Sequence, residues 1–108
     1  MIRPARPDEA FWVRSLVRRA YALYIPRMGK EPAPMLADYG ALIAAGEVHV
    51  LEEKGEAVAL IVIYPKEDAL FIENIAVDPV AQGKGHGRAL LDFAEQEARR
   101  LGLKALRL

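Results

Sequence analysis

The sequence lacks several residue types on which common enzyme classes depend. Its 108 residues include no cysteine, no threonine and one serine, Ser15. Without cysteine there is no disulfide framework, no thiolate metal site and no thiol nucleophile, a composition that fits a reducing compartment. Ser15 falls inside a predicted helix with no histidine near it in the pattern. A covalent intermediate on a hydroxyl or thiol is therefore disfavoured.

Net charge and long apolar runs are also missing. The chain has 15 basic and 15 acidic residues, so it has no bulk field for nucleic acid or an anionic membrane, and only a local cluster could bind a polyanion. Neither a signal peptide nor a membrane span is recognisable, which predicts a cytoplasmic protein. The only histidines, His49 and His86, stand at no metal-ligand spacing, so no metal is expected. For His49 we favour a structural role.

The apolar periodicity predicts one α/β (α+β) domain over residues 1–108, with the element order β-α-α-β-β-β-α-β. Three central strands form an antiparallel meander, and the last strand pairs in parallel through a crossover helix. Asp8 is the predicted cap of the first helix, and residues 27–34 are a predicted exposed loop. The predicted strands are 2–5, 48–52, 57–64, 69–77 and 104–108, and the predicted helices are 9–24, 35–45 and 88–101.

The segment from Gln82 to Arg88 places three glycines and two basic residues where a buried strand meets a helix. A helix start carries unpaired N–H groups and the positive end of a dipole, and glycines let a diphosphate approach the backbone. The segment therefore predicts a pyrophosphate site. The competing interpretation is that the glycines only make a tight turn and allow close helix packing.

Two common phosphate-binding patterns do not fit this segment. The nucleotide-triphosphate loop is absent, because no hydroxyl residue follows Gly83-Lys84 or any other Gly-Lys pair. The dinucleotide fingerprint would need its third glycine one position after Gly87, with an acidic residue on a following strand. Kinase, ATPase and dinucleotide chemistry are therefore disfavoured.

The residues resemble the GNAT superfamily of acetyl-CoA-dependent N-acetyltransferases. Its motif [RQ]-x-x-G-x-[GA] matches from Gln82 through Gly85 to Gly87, preceded by Ile75-Ala76-Val77-Asp78-Pro79. The resemblance implies acetyl-CoA as cosubstrate and a primary amine, on a small molecule or a peptide, as acceptor. It also implies that backbone groups of Ile75, Ala76 and Val77 pair with the acetyl carbonyl and pantetheine arm. The backbone amides implied for the diphosphate belong to Gln82, Gly83, Lys84, Gly85, His86, Gly87 and Arg88.

With no nucleophile available, acyl transfer is expected by direct attack of a bound amine in a ternary complex. Glu73 is the candidate proton acceptor, because apolar neighbours such as Phe71 and Ile75 would raise its pKa. The alternative is that Glu73 is a solvated or ion-paired strand residue. Asn74 is expected on the opposite face, as a bulge or hydrogen-bonding residue, and Tyr21 either packs in the core or lines an acceptor groove.

The predicted last strand ends with the sequence at Leu108, whereas most GNAT proteins continue with a further helix and strands. An uncovered edge strand is a situation that folds usually avoid, so we expect either a C-terminally incomplete domain or a homodimer that covers this edge. The competing functional hypothesis is an acyl-CoA-binding module, or a fragment, with little or no catalysis.

Overall fold

A computed structural model describes residues 1–22 and 37–108. Its strands are β1 (Ile2–Pro4), β2 (Val48–Glu53), β3 (Glu56–Lys66), β4 (Ala69–Val77) and β5 (Ala105–Arg107). Its α-helices are α1 (Ala10–Tyr21), α2 (Tyr39–Ala44) and α3 (His86–Arg100), and 3₁₀ turns cover Pro7–Glu9 and Pro79–Ala81. No helix in these described ranges is long and apolar enough to cross a bilayer.

The strands form one mixed sheet in the order β1-β2-β3-β4-β5. Neighbouring strands are antiparallel except β4 and β5, which are parallel. The predicted mixed α/β sheet and element order are confirmed. The hairpin between β2 and β3 turns at Lys54 and Gly55, whose φ angles are +55° and +81°, values that a two-residue turn between antiparallel strands requires.

The ends of the first helix differ from the prediction. Asp8 does not cap it: Asp8 lies within the 3₁₀ turn, and the residue before α1 is Glu9, which makes no side-chain cap. The reason is that Pro7 starts a tighter turn, and Glu9 instead accepts from the Arg6 amide at 2.7 Å. The predicted continuation of the helix to residue 24, the loop at 27–34 and the start of the second helix lie outside the described residues.

The crossover helix α3 begins earlier than the pattern indicated. Gly85 occupies the left-handed region at φ +83° and is the N-cap, so His86 is the first helical residue rather than Arg88. Glycine takes this conformation without the steric penalty of a Cβ. At the other end Gly102 has φ +73° and ends the helix as expected.

The core lies on both faces of the sheet. On one face α1 and α2 pack against β2, β3 and β4 through residues that include Val13, Leu16 and Leu60. On the other face Leu90 and Ala94 of α3 pack against residues of the same strands. The middle of β3, residues 59–63, is buried throughout, as its unbroken apolar run predicted for a strand covered on both faces.

Candidate active site

Strands β4 and β5 pair in parallel over three residues of each strand. Ala69 pairs with Ala105, Leu70 with Leu106, and Phe71 with Arg107. The remaining stretch of β4, residues 72–77, has no strand on that side within the described part of the chain. We call this side of residues 72–77 the open edge of β4.

The open edge presents backbone groups of Ile75 and Val77. The Ile75 carbonyl lies 3.3 Å from the Tyr21 hydroxyl, and the Val77 carbonyl accepts from the Gln82 side chain at 3.4 Å, so both carbonyls point away from β3. In an antiparallel pair the N–H and C=O of one residue point to the same side. The Ile75 and Val77 N–H groups therefore also point away from β3, towards the open edge.

A cleft of about 260 Å³ lies at this open edge. It is lined by Ala20, Tyr21, Ile75, Ala76, Val77 and Gln82. The structure thus brings together four residues that the resemblance implied for cofactor binding. Ala20 was missed by sequence reasoning, because helical spacing shows that a residue is on the apolar face but not which strand it faces. Tyr21 proves to be a lining residue that is also partly buried.

The glycine segment forms an open loop that leads into α3. Gly83 and Gly85 have φ values of +81° and +83°, and a Cβ placed on Gly83, Gly85 or Gly87 would meet no atom within 4 Å. Among the described residues no backbone carbonyl or side chain accepts from the amides of residues 83–88. These amides are at the positive end of the helix dipole, so the loop offers unoccupied donors around empty space.

The other residues of the loop contribute in different ways. The Gln82 amide donates to the Pro79 carbonyl at 3.5 Å, so this residue presents its side chain rather than its N–H. Lys84 is exposed, and Arg88 lies 3.2 Å from Asp92 in an exposed ion pair that adds little energy in water. The His86 side chain is buried beneath the loop with Nε2 3.4 Å from Glu53 Oε2.

Glu73 is the extra residue of a β-bulge in β4. Val62 pairs with Asn74 while Ile63 pairs with Ile72, and a bulge of this kind reverses the faces of the residues that follow. The Glu73 side chain is exposed, so the apolar surroundings expected for it are absent. Those surroundings were inferred from strict strand alternation, which the bulge interrupts.

Asn74 makes the hydrogen bonds that the sequence suggested. Its side chain is 5% exposed. It accepts from the Tyr21 hydroxyl at 2.6 Å and donates to the Tyr39 hydroxyl at 3.0 Å. Burial raises the pKa of Tyr39 to about 12, so that hydroxyl keeps its proton near neutral pH.

His49 lies away from the cleft, on β2 beneath α3. Its ring is 4.9 Å from that of Phe93, and burial lowers its pKa. His49 therefore packs as a neutral ring, in agreement with the structural role favoured for it. Within residues 1–22 and 37–108 no group of three or more histidine, aspartate or glutamate side chains could hold a metal ion.

The family model for the GNAT acetyltransferase family matches residues 8–108. The chain belongs to this family. The match covers α1, the open edge of β4, the glycine loop and α3, so every part of the site described above lies within it. A search of curated protein sequences finds no match.

Solved structures of the GNAT fold superimpose closely on the chain. A possible acetyltransferase from Clostridium difficile 630 has a TM-score of 0.79 and 23% identity over 100% of this chain and 77% of that one. PaiA N-acetyltransferase from Thermoplasma acidophilum, solved with coenzyme A, has a TM-score of 0.80 and 13% identity over 95% and 74%. N-acetylglutamate synthase from Neisseria gonorrhoeae, solved with coenzyme A and N-acetyl-glutamate, gives 0.73 and 24% over 98% and 24%.

Proposed function

We propose that this protein is an N-acetyltransferase that moves an acetyl group from acetyl-CoA to a primary amine. The proposal rests on one observation, that two features of the structure lie next to each other. The amides at the start of α3 surround empty space, and the adjoining cleft exposes the open edge of β4. An anionic diphosphate suits the first feature, and an extended amide-containing arm with a thioester suits the second.

The residues implied for the cosubstrate fit it in shape and in donor type. Amides of residues 83–88 hold the diphosphate, and the backbone of Ile75 and Val77 pairs with the pantetheine arm and the acyl carbonyl. When bound, acetyl-CoA supplies the thioester that is cleaved. The coenzyme A found in the Thermoplasma and Neisseria structures supports the same class of cosubstrate here.

The reaction is a direct displacement in a ternary complex. The nitrogen of the neutral amine forms a bond to the acyl carbon, and the carbon–sulfur bond breaks to release the thiolate. An N–H at the open edge of β4 stabilises the negative charge that develops on the carbonyl oxygen. Glu73 accepts the amine's proton, directly or through water, a route that its exposed position permits.

The acceptor is a small molecule or a peptide bearing a primary amine, and the cytoplasm is the proposed compartment. Neither nucleic acid nor a membrane is a proposed partner. Pairing of two copies through β5 stays a prediction. Light scattering after size exclusion tests it, because a 12.0 kDa species would contradict it.

A second candidate is an acyl-CoA-binding module with little catalysis. The exposure of Glu73 favours it, because none of the described residues that line the cleft carries a carboxylate. Thiol release from acetyl-CoA, measured with and without a panel of primary amines, separates the candidates. Amine-dependent release supports the transferase. Binding of acetyl-CoA in calorimetry without such release supports the module.

The control variant for this assay is Gly85→Asp. It places a side chain and a negative charge where the diphosphate approaches, so it should abolish acetyl-CoA binding and release together. Wild-type affinity in this variant would contradict both candidates, since both depend on the loop.

A further inference from the structure

A chain of side-chain hydrogen bonds crosses the core behind the open edge of β4. The Tyr21 hydroxyl of α1 donates to Asn74 Oδ1 at 2.6 Å, and Asn74 Nδ2 donates to the Tyr39 hydroxyl of α2 at 3.0 Å. Tyr39 is 1% exposed. A buried polar side chain that lacks a hydrogen bond is unfavourable, so each member of this hydrogen-bonded chain needs its partner. The chain therefore favours one way of packing α1, α2 and β4 together.

The chain meets β4 where the strand is irregular. Asn74 follows the bulged residue Glu73, and a bulge removes the regular pairing that would otherwise set the direction of the backbone. The described residues of β5 pair with β4 only up to Phe71. After the bulge, β3 pairs with this stretch on one side. On the open edge, the Tyr21 and Gln82 side chains are the groups of the described residues that contact its backbone carbonyls.

Tyr21 contacts this stretch at two consecutive residues. Besides Asn74, its hydroxyl lies 3.3 Å from the Ile75 carbonyl, which is on the open edge. Tyr21 also lines the 260 Å³ cleft. Tyr39, at the other end of the chain, contacts Asn74 but is not one of the residues that line the cleft.

We propose that Tyr21 is a positioning residue. Together with Asn74 it holds the backbone of Ile75, whose C=O and N–H point to the same side, so that the Ile75 N–H points at the acyl carbonyl in the cleft. This inference rests on the proposed acyl transfer. A small displacement of this N–H donor raises the free energy of the transition state more than that of the ground state, because negative charge develops on the acyl oxygen only in the transition state.

The test compares two variants that each remove one hydroxyl from the same chain, Tyr21→Phe and Tyr39→Phe. We expect Tyr21→Phe to lower kcat about tenfold while the affinity for coenzyme A changes less than about twofold, because the glycine loop is untouched. Tyr39→Phe should keep kcat within about threefold of wild type, even if it lowers the unfolding temperature. Wild-type kcat in Tyr21→Phe, or equal losses in both variants, would overturn the proposal.

A measurement without turnover separates this inference from the proposed function. Amide hydrogen exchange at Ala76, whose N–H belongs to the same peptide unit as the Ile75 carbonyl and faces β3, is followed by NMR in the ligand-free protein. It should speed up in Tyr21→Phe at least about fivefold more than in Tyr39→Phe. If wild-type protein shows no acyl transfer but this difference is found, the proposed function fails and the positioning role stands. If exchange is the same in both variants, the positioning role fails whatever the activity.

Discussion

Arg19 on α1 and Asp78 at the end of β4 are joined by an ion pair, with Arg19 Nη2 3.0 Å from Asp78 Oδ2. The other carboxylate oxygen of Asp78 accepts from the Val80 amide at 3.2 Å and so caps the 3₁₀ turn that leads to the glycine loop. The Asp78 side chain therefore stabilises the turn before the glycine loop and also connects it to α1, the helix that lines the cleft.

This double role predicts unequal effects of two alanine substitutions. Asp78→Ala removes the cap and the ion pair and should lower the free energy of unfolding by about 1–2 kcal/mol. Arg19→Ala removes only a partly exposed ion pair and should cost less than about 1 kcal/mol. Urea unfolding measures both. Equal losses would show that the cap contributes nothing.

The interaction between Arg3 and Glu9 predicts how stability depends on acid. Arg3 donates to both carboxylate oxygens of Glu9 at 2.9 and 2.8 Å, and these hydrogen bonds lower the pKa of Glu9 from 4.5 to about 2. Because the folded value lies below the unfolded one, the stabilisation is complete above pH 4.5 and is lost as the pH falls towards 2. After allowance for solvent screening, the expected loss is roughly 1–2 kcal/mol.

Glu9→Gln checks this assignment. The variant should be less stable than wild type at neutral pH, and its free energy of unfolding should fall less steeply between pH 4.5 and 2. Glu95→Gln is the matched control, because Glu95 pairs with Arg99 on the exposed surface of α3, where such pairs contribute little. A wild-type acid profile in Glu9→Gln would assign the acid dependence to other carboxylates.

The two glycines at the start of α3 should respond to alanine in opposite ways. Gly85 has φ +83°, so Gly85→Ala should cost about 1–2 kcal/mol of stability and should also weaken acetyl-CoA binding. Gly87 is inside the helix, so Gly87→Ala should raise stability by about 0.5 kcal/mol and keep the affinity, since the family motif accepts either residue there. Calorimetry and urea unfolding measure the two quantities.

Gly102→Ala separates backbone strain from loss of binding. Gly102 also has a positive φ, +73°, but lies at the far end of α3. Gly102→Ala should therefore be less stable than wild type, as Gly85→Ala is, but should bind acetyl-CoA with the wild-type affinity. Weaker binding in both variants would mean that strain in α3, and not the loop, controls affinity.

Glu73→Gln tests the proton acceptor. The variant keeps the shape of the bulged residue and removes its basicity, so kcat near neutral pH should fall about ten- to hundredfold with acetyl-CoA affinity unchanged. Glu56→Gln, another exposed glutamate at the start of β3, is the matched control and should retain wild-type kcat. An unchanged rate in Glu73→Gln would place the base at another residue.

Much of the fold was predictable because its signals are local. The unbroken apolar run in β3 predicted a strand buried on both faces. The glycines around His86 predicted a loop before a helix, since only residues without a Cβ take positive φ values freely. The wrong predictions were also local. Asp8 was predicted to cap the first helix, but the turn that starts at Pro7 includes it. The third helix was predicted to begin at Arg88, but Gly85 is its N-cap and His86 its first residue.

The conformation of the glycine loop was predictable from the order of residues, because glycines at a strand–helix junction take positive φ values without help from distant parts of the chain. Its binding of a diphosphate stays a prediction. The surroundings of Glu73 were not predictable from the order of residues, because they depend on the pairing partner. The bulge arises because Val62 of β3 pairs with Asn74 while the next residue of β3 pairs with Ile72. The extra residue in β4 moves the side chains that follow it to the other face of the sheet. Likewise, only packing between α1 and β4 brought Tyr21 to Ile75, a contact over 54 positions that no periodicity within either element can indicate.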